Sequence, residues 1–85
     1  MKIMYYVYVL KSLKDKNFYV GKTGDLLERF KEHNSGKVAS TRERRPLKLV
    51  YYEACNNTKD AAHREVYLKT TWGKRYLKNR LKNDL

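Results

Sequence analysis

From Ile3 to Leu10 almost every position is apolar or a tyrosine. Strand alternation puts Tyr6, Tyr8 and Leu10 on one side, and Tyr5, Val7 and Val9 on the other. Both sides are apolar, which predicts a central strand covered on both faces. Lys14-Asp15-Lys16-Asn17 reads as a turn, and Phe18 to Lys22 as a returning strand, so the two runs form a hairpin. Asp25 followed by Glu28 fits an N-cap and its capping-box partner. The helix they open runs to about Ser35, where Gly36 stops it. Leu26, Leu27 and Phe30 are its expected apolar face. Arg29 and His33, four apart, share a neighbouring stripe.

Lys37 to Pro46 has no apolar periodicity and contains Arg42, Arg44 and Arg45, which predicts a mobile basic loop. Leu47 to Ala54 reads as a third strand with Pro46 at its start. Thr58 can cap a second helix from Lys59 to about Thr70, with Ala61, Glu65, Leu68 and Trp72 on its buried stripe. Gly73 marks a break. Lys74 to about Asn83 is then a third helix, with Leu77 and Leu81 inward and Lys74, Lys78 and Lys82 outward. The predicted order is β-β-α-β-α-α. That is a small α+β domain spanning 1–85, with a three-stranded, mostly antiparallel sheet flanked by helices.

Composition narrows the class. The 85 residues hold 20 Lys and Arg against 9 acids, a net charge of +11. Such an excess favours a polyanionic partner, of which nucleic acid is the commonest. With 41% hydrophobic residues the chain is too apolar for a disordered tail. Its single cysteine, Cys55, excludes an internal disulfide and a cysteine-held zinc, and is expected as a small buried residue after a strand. No apolar run approaches the ~20 residues that span a bilayer, and Met1 to Tyr6 lacks a signal-peptide pattern. A cytoplasmic protein without a membrane partner is expected.

Candidate chemistry gathers at a few positions. Glu65 puts a carboxylate on an otherwise apolar stripe, where it must be paired, protonated or metal-bound. A salt bridge to Arg29, Lys69 or another base would explain it. So would Mg²⁺, which keeps its waters and takes further oxygens from a phosphate. Tyr8 and Tyr19 would pack as ordinary strand tyrosines or present a phenol that activates water. A phenol has pKa about 10, so it needs help at neutral pH. Lys22, three residues after Tyr19 and beside Gly21, could lower that value. Arg29 suits a phosphate clamp that stabilises charge developing on phosphorus oxygens. His33, one turn on, could bond the same phosphate or the attacking water, or be structural. His63 has no such company and reads as surface.

These residues in this order resemble the GIY-YIG endonuclease superfamily. Tyr6-Val7-Tyr8 and Tyr19-Val20-Gly21 match its two tripeptides. Lys22, the helix residues Arg29 and His33, and Glu65 match the positions that follow; Asn79 is the match for an asparagine near the domain's end. The likeness covers nearly the whole chain. It is greatest to small stand-alone members related to the N-terminal nuclease domain of the bacterial excision-repair endonuclease. One departure is Tyr6 where the family usually has glycine, with Val7 for isoleucine; a tighter packing at Tyr6 is expected. The resemblance implies a one-metal hydrolysis of phosphodiesters. Tyr8 or Tyr19 would deprotonate water, Glu65 would hold Mg²⁺ or Mn²⁺, Arg29 would offset charge, and Lys22 would keep the phenol acidic. It also implies that the tyrosines and the glutamate share one concave face.

The expected function is a metal-dependent endonuclease acting on DNA rather than RNA. It lacks a base-reading motif, so structure would be selected over sequence. The alternative is a non-catalytic basic module that binds nucleic acid for a partner protein. In both readings Arg42, Arg44, Arg45, Lys74, Arg75 and Lys78 would contact phosphates. A structural or protein-interaction domain would leave the aligned Tyr, Lys, Arg and Glu unexplained.

Overall fold

A computed structural model describes residues 4–85, so Ile3, the expected start of the first strand, lies outside the described residues. Strand β1 (Tyr5–Ser12) lies between β2 (Phe18–Thr23) and β3 (Leu47–Cys55), in the order β2-β1-β3. Both pairings are antiparallel. The β1–β2 turn is held by the buried Ser12, whose Oγ accepts from the backbone N–H of Lys14 at 3.1 Å and of Asp15 at 3.0 Å. Lys16 adopts φ 67°, the left-handed conformation such a turn needs.

A bulge on β3 opposite Val9 and Leu10 breaks the strict alternation, since Val9 pairs with Tyr51 and Leu10 with Leu49. It lets the consecutive residues Val50 and Tyr51 pack against the same side of the sheet. That side carries Val7, Val9 and Val20. Helices α2 (Thr58–Leu68) and α3 (Thr71–Arg80) cover it with Ala61, Leu68, Leu77 and the residue after α3, Leu81. The opposite side carries Tyr8, Leu10 and Leu47, and receives Leu26 and Phe30 from helix α1 (Leu26–Asn34). The central strand is thus covered on both faces, as its unbroken apolar run predicts. Short 3-10 turns at Arg42–Arg44 and Lys82–Asp84 complete the path. No helix is long and apolar enough to cross a membrane among the described residues.

Several local expectations are corrected. Asp25 caps α1 by accepting from Glu28 N–H at 3.1 Å, but its own N–H donates to Thr23 Oγ1 at 3.0 Å, so Glu28 does not complete the box. Leu27 is 65% exposed, and His33 takes the buried place one turn beyond Phe30. Helix α2 is capped one residue early, by Asn57 accepting from Lys59 N–H at 2.8 Å. It also ends at Leu68, because Thr70 caps a new helix by accepting from Gly73 N–H at 3.2 Å. Trp72 therefore leaves the α2 stripe and stands exposed in the first turn of α3.

Gly73 is not a break but a crossing point. A Cβ there would fall 2.2 Å from Tyr67 O and 2.4 Å from Leu68 Cα, so only glycine lets α3 pass so close to the end of α2. Cys55 is the last residue of β3 and only partly buried. Tyr6 packs edge-on to Tyr52, with ring centroids 5.9 Å apart. The predicted loose segment from Lys37 to Pro46 is tied at several points. Val38 and Thr41 are buried, Arg44 Nε reaches Asp15 Oδ2 at 2.7 Å, and Leu13 N–H donates to Pro46 O at 2.8 Å.

Candidate active site

Tyr8 points from β1 toward α1 and is almost wholly buried. Its ring lies over Gly21 of β2, where a Cβ would stand 2.4 Å from the ring carbon Cζ and from the hydroxyl. Gly21 thus makes room for the tyrosine itself, not for an approaching phosphate. The hydroxyl meets His33 Nε2 at 2.7 Å, and His33 Nδ1 meets Thr41 Oγ1 at 2.7 Å. His33 and Thr41 are fully enclosed. A neutral imidazole has one donor and one acceptor nitrogen, so both ring nitrogens are satisfied.

Burial, helped by the nearby Arg29 guanidinium, pushes the His33 pKa down to about 4. The imidazole is therefore neutral at physiological pH and can take a proton. Burial pushes the Tyr8 phenol up. Arg29, whose guanidinium lies beside the Tyr8 hydroxyl, opposes that rise, while Tyr19 and Glu65 add to it through space. The cation acting on Tyr8 is chiefly Arg29, which corrects the expectation that Lys22 does this. Lys22 pairs opposite Val7 on the other face of the sheet and is exposed. Arg29 also donates to Glu32 Oε1 at 2.9 Å and remains partly open to solvent.

Tyr19 sits diagonally across from Tyr8 on the same face, half-buried, with its ring edge-on to His33 at 5.2 Å. Its hydroxyl accepts from Ser40 Oγ at 3.3 Å. Tyr8, Tyr19, Arg29 and His33 therefore form one cluster between β1, β2 and α1. Glu65 approaches from α2, near enough for its charge to act on Tyr8. Its Oε2 accepts from Lys69 Nζ at 3.0 Å, one of the salt bridges the sequence allowed. Asn79 is exposed on α3 and makes no hydrogen bond to the cluster.

The sequence alone does not single out Thr41. It lies in a stretch without periodicity, and only the partner of His33 Nδ1 identifies it. The basic residues divide. Arg44 is committed to Asp15, and Arg45 Nε donates to Arg42 O at 2.8 Å, which leaves Arg42 the exposed side chain of that group. Lys74 and Lys78 line, with Lys69 and Tyr19, a cavity of about 540 Å³ between the β2 edge and the helices.

No group of three or more His, Cys, Asp or Glu side chains is placed to hold a metal among the described residues. A single, partly exposed carboxylate suits a hydrated Mg²⁺ or Mn²⁺ completed by water and phosphate oxygens, and does not suit zinc. Glu65 fits that role once Lys69 yields its place.

Residues 4–82 match the GIY-YIG catalytic domain family. A UPF0213 protein of Clostridium perfringens is 49% identical over 67 residues, 78% of this chain and 71% of that one. A UPF0213 protein of Bacillus pumilus is 48% identical over 69 residues, 80% of this chain and 68% of that one. The solution NMR structure of a UPF0213 protein from Bacillus halodurans has a TM-score of 0.54 and 36% identity, covering 88% of this chain and 82% of that chain. The match across nearly the whole chain, the fold shared with that structure and the clustered tyrosines agree, and a nuclease role follows at the level of the family: the chain belongs to the GIY-YIG catalytic domain family.

Proposed function

We propose that this protein is a divalent-metal-dependent endonuclease that hydrolyses DNA and selects structure over sequence. The observation that carries the reading is the position of the Tyr8 hydroxyl, between a buried neutral imidazole and a solvent-facing guanidinium. Tyr8 donates its proton to His33 Nε2, while His33 Nδ1–H is held by Thr41. The phenol oxygen can then take a proton from water, and the displaced proton rests on the imidazole. Arg29 binds the scissile phosphate and offsets the charge that builds on its oxygens. Glu65 holds Mg²⁺ or Mn²⁺, which when bound supplies Lewis acidity at the phosphate and the leaving oxygen. Tyr19 lines the approach. Asn79 and Lys22 lie outside the cluster in this conformation and would act only with substrate bound.

The Glu65–Lys69 ion pair favours a second reading, a basic module that binds nucleic acid for a partner protein and does not cut it. The two separate on one panel of branched, flapped and duplex DNA, with RNA alongside. Cleavage with Mg²⁺ or Mn²⁺, stopped by EDTA and lost in Arg29→Ala, supports the endonuclease. Salt-sensitive binding without cleavage on every substrate supports the module.

A further inference from the structure

Helix α3 presents a surface that the phosphodiester cluster does not use. Its residues Thr71–Arg80 include Lys74, Arg75, Lys78 and Arg80 and no acid. Trp72 is 66% exposed in its first turn, although burying so large an apolar side chain would be favourable. The Arg75 guanidinium lies 5.1 Å from the Trp72 ring centroid. One turn along, Arg64 lies 5.1 Å from the Tyr76 ring and 5.3 Å from the Tyr67 ring. Arg64 is itself fixed by two bonds to Glu53, both 2.9 Å. The Tyr51 hydroxyl donates to Glu53 at 2.8 Å and meets the Tyr76 hydroxyl at 3.1 Å. Rings and guanidinium groups alternate here on a built support, and the most exposed ring is the tryptophan.

We propose that Trp72 is a stacking platform for an unpaired base, and that α3 thereby binds single-stranded nucleic acid. A strand of phosphates complements a helix that is basic and free of acids, and an exposed indole beside cations offers a base a flat apolar face. A duplex keeps its bases stacked inside and gains nothing from the indole. A lipid surface is disfavoured, because the apolar residues Leu77 and Leu81 face the core and leave α3 no continuous hydrocarbon face. The proposal deepens the nuclease reading by naming the form of substrate, a DNA with an unpaired stretch. It is tested by binding, so the two can fail separately.

Trp72 is the only tryptophan, so intrinsic fluorescence reports from the site itself. The protein is titrated in EDTA, where no cutting occurs, with short oligo(dT), with blunt duplex, with heparin and with anionic phosphatidylglycerol vesicles. Oligo(dT) is expected to quench the emission saturably, and heparin, a polyanion without bases, to bind without comparable quenching. Labelled oligo(dT), followed by anisotropy, should bind Trp72→Ala about 5-fold or more weakly, with Trp72→Phe retaining most of the affinity. Equal quenching by heparin, unchanged affinity of Trp72→Ala, a blue shift with vesicles alone, or a change with protein concentration alone would each overturn the proposal. Metal-dependent cleavage without quenching removes the platform and leaves the nuclease; quenching without cleavage does the reverse.

Discussion

The Tyr8 hydroxyl and His33 Nε2 meet at 2.7 Å inside the layer between the central strand and α1. Tyr8→Phe keeps the ring and removes that bond. It should leave a buried imidazole nitrogen unpaired and cost about 1–3 kcal/mol, read by urea denaturation. If Tyr8 moves the proton, the variant should also lose cleavage while still binding DNA.

Thr41 is the other neighbour of that imidazole. Thr41→Val preserves shape but removes the hydroxyl facing Nδ1, at a cost of about 1–3 kcal/mol. Thr41→Ser should restore most of the stability. A pH–rate profile that moves in Thr41→Val and returns in Thr41→Ser would place Thr41 in positioning rather than packing alone.

Acid should weaken the fold in two stages. His33 has a folded pKa of about 4, below its ordinary value of 6.5. The unfolded chain therefore binds more protons between these values, and stability falls as pH drops from about 6.5 to 4. The loss is about 2–3 kcal/mol for a shift of that size. Asp15, held down to about 2 by Arg44, loses its contribution only below its ordinary 3.8. His33→Gln should flatten the upper stage and leave the lower one, as followed by denaturation midpoints across pH.

Two glycines face different obstacles. At Gly21 an added Cβ meets the Tyr8 ring; at Gly73 it meets the backbone of Tyr67 and Leu68. A side chain can shift, and a helix junction cannot shift without unpacking. Gly73→Ala should therefore lower the melting temperature more than Gly21→Ala, although alanine favours helix. Gly21→Ala should instead disturb the Tyr8–His33 bond.

Much of the architecture can be read from the chain because its signals are local. The apolar run around Tyr8 specifies a central strand, and Asp25 and Gly36 bound α1 through their own hydrogen bonds and conformation. The same alternation that joins Tyr8 and Tyr19 on one face puts Lys22 on the other, so its distance from the phenol was legible too. Errors arise where tertiary contacts decide. Trp72 fits the α2 stripe only if the helix continues, and the Thr70 cap ends that continuity. Leu27 and His33 exchange their expected places because the Tyr8 hydroxyl gives the imidazole a polar partner that leucine cannot use. Thr41 depends on a contact eight residues back, and no periodic pattern marks it.

The central claim is that Glu65 and the Tyr8 cluster form one metal-dependent phosphodiester site. The most direct measurement compares wild type with Glu65→Gln in nicking of branched and flapped DNA over a Mg²⁺ titration, with folding checked by circular dichroism. The account predicts Mg²⁺-dependent nicking by wild type, and its loss in a Glu65→Gln protein that stays folded and still binds DNA. Undiminished nicking by folded Glu65→Gln, or no nicking by wild type at any Mg²⁺ or Mn²⁺ concentration on any of these substrates, would contradict it.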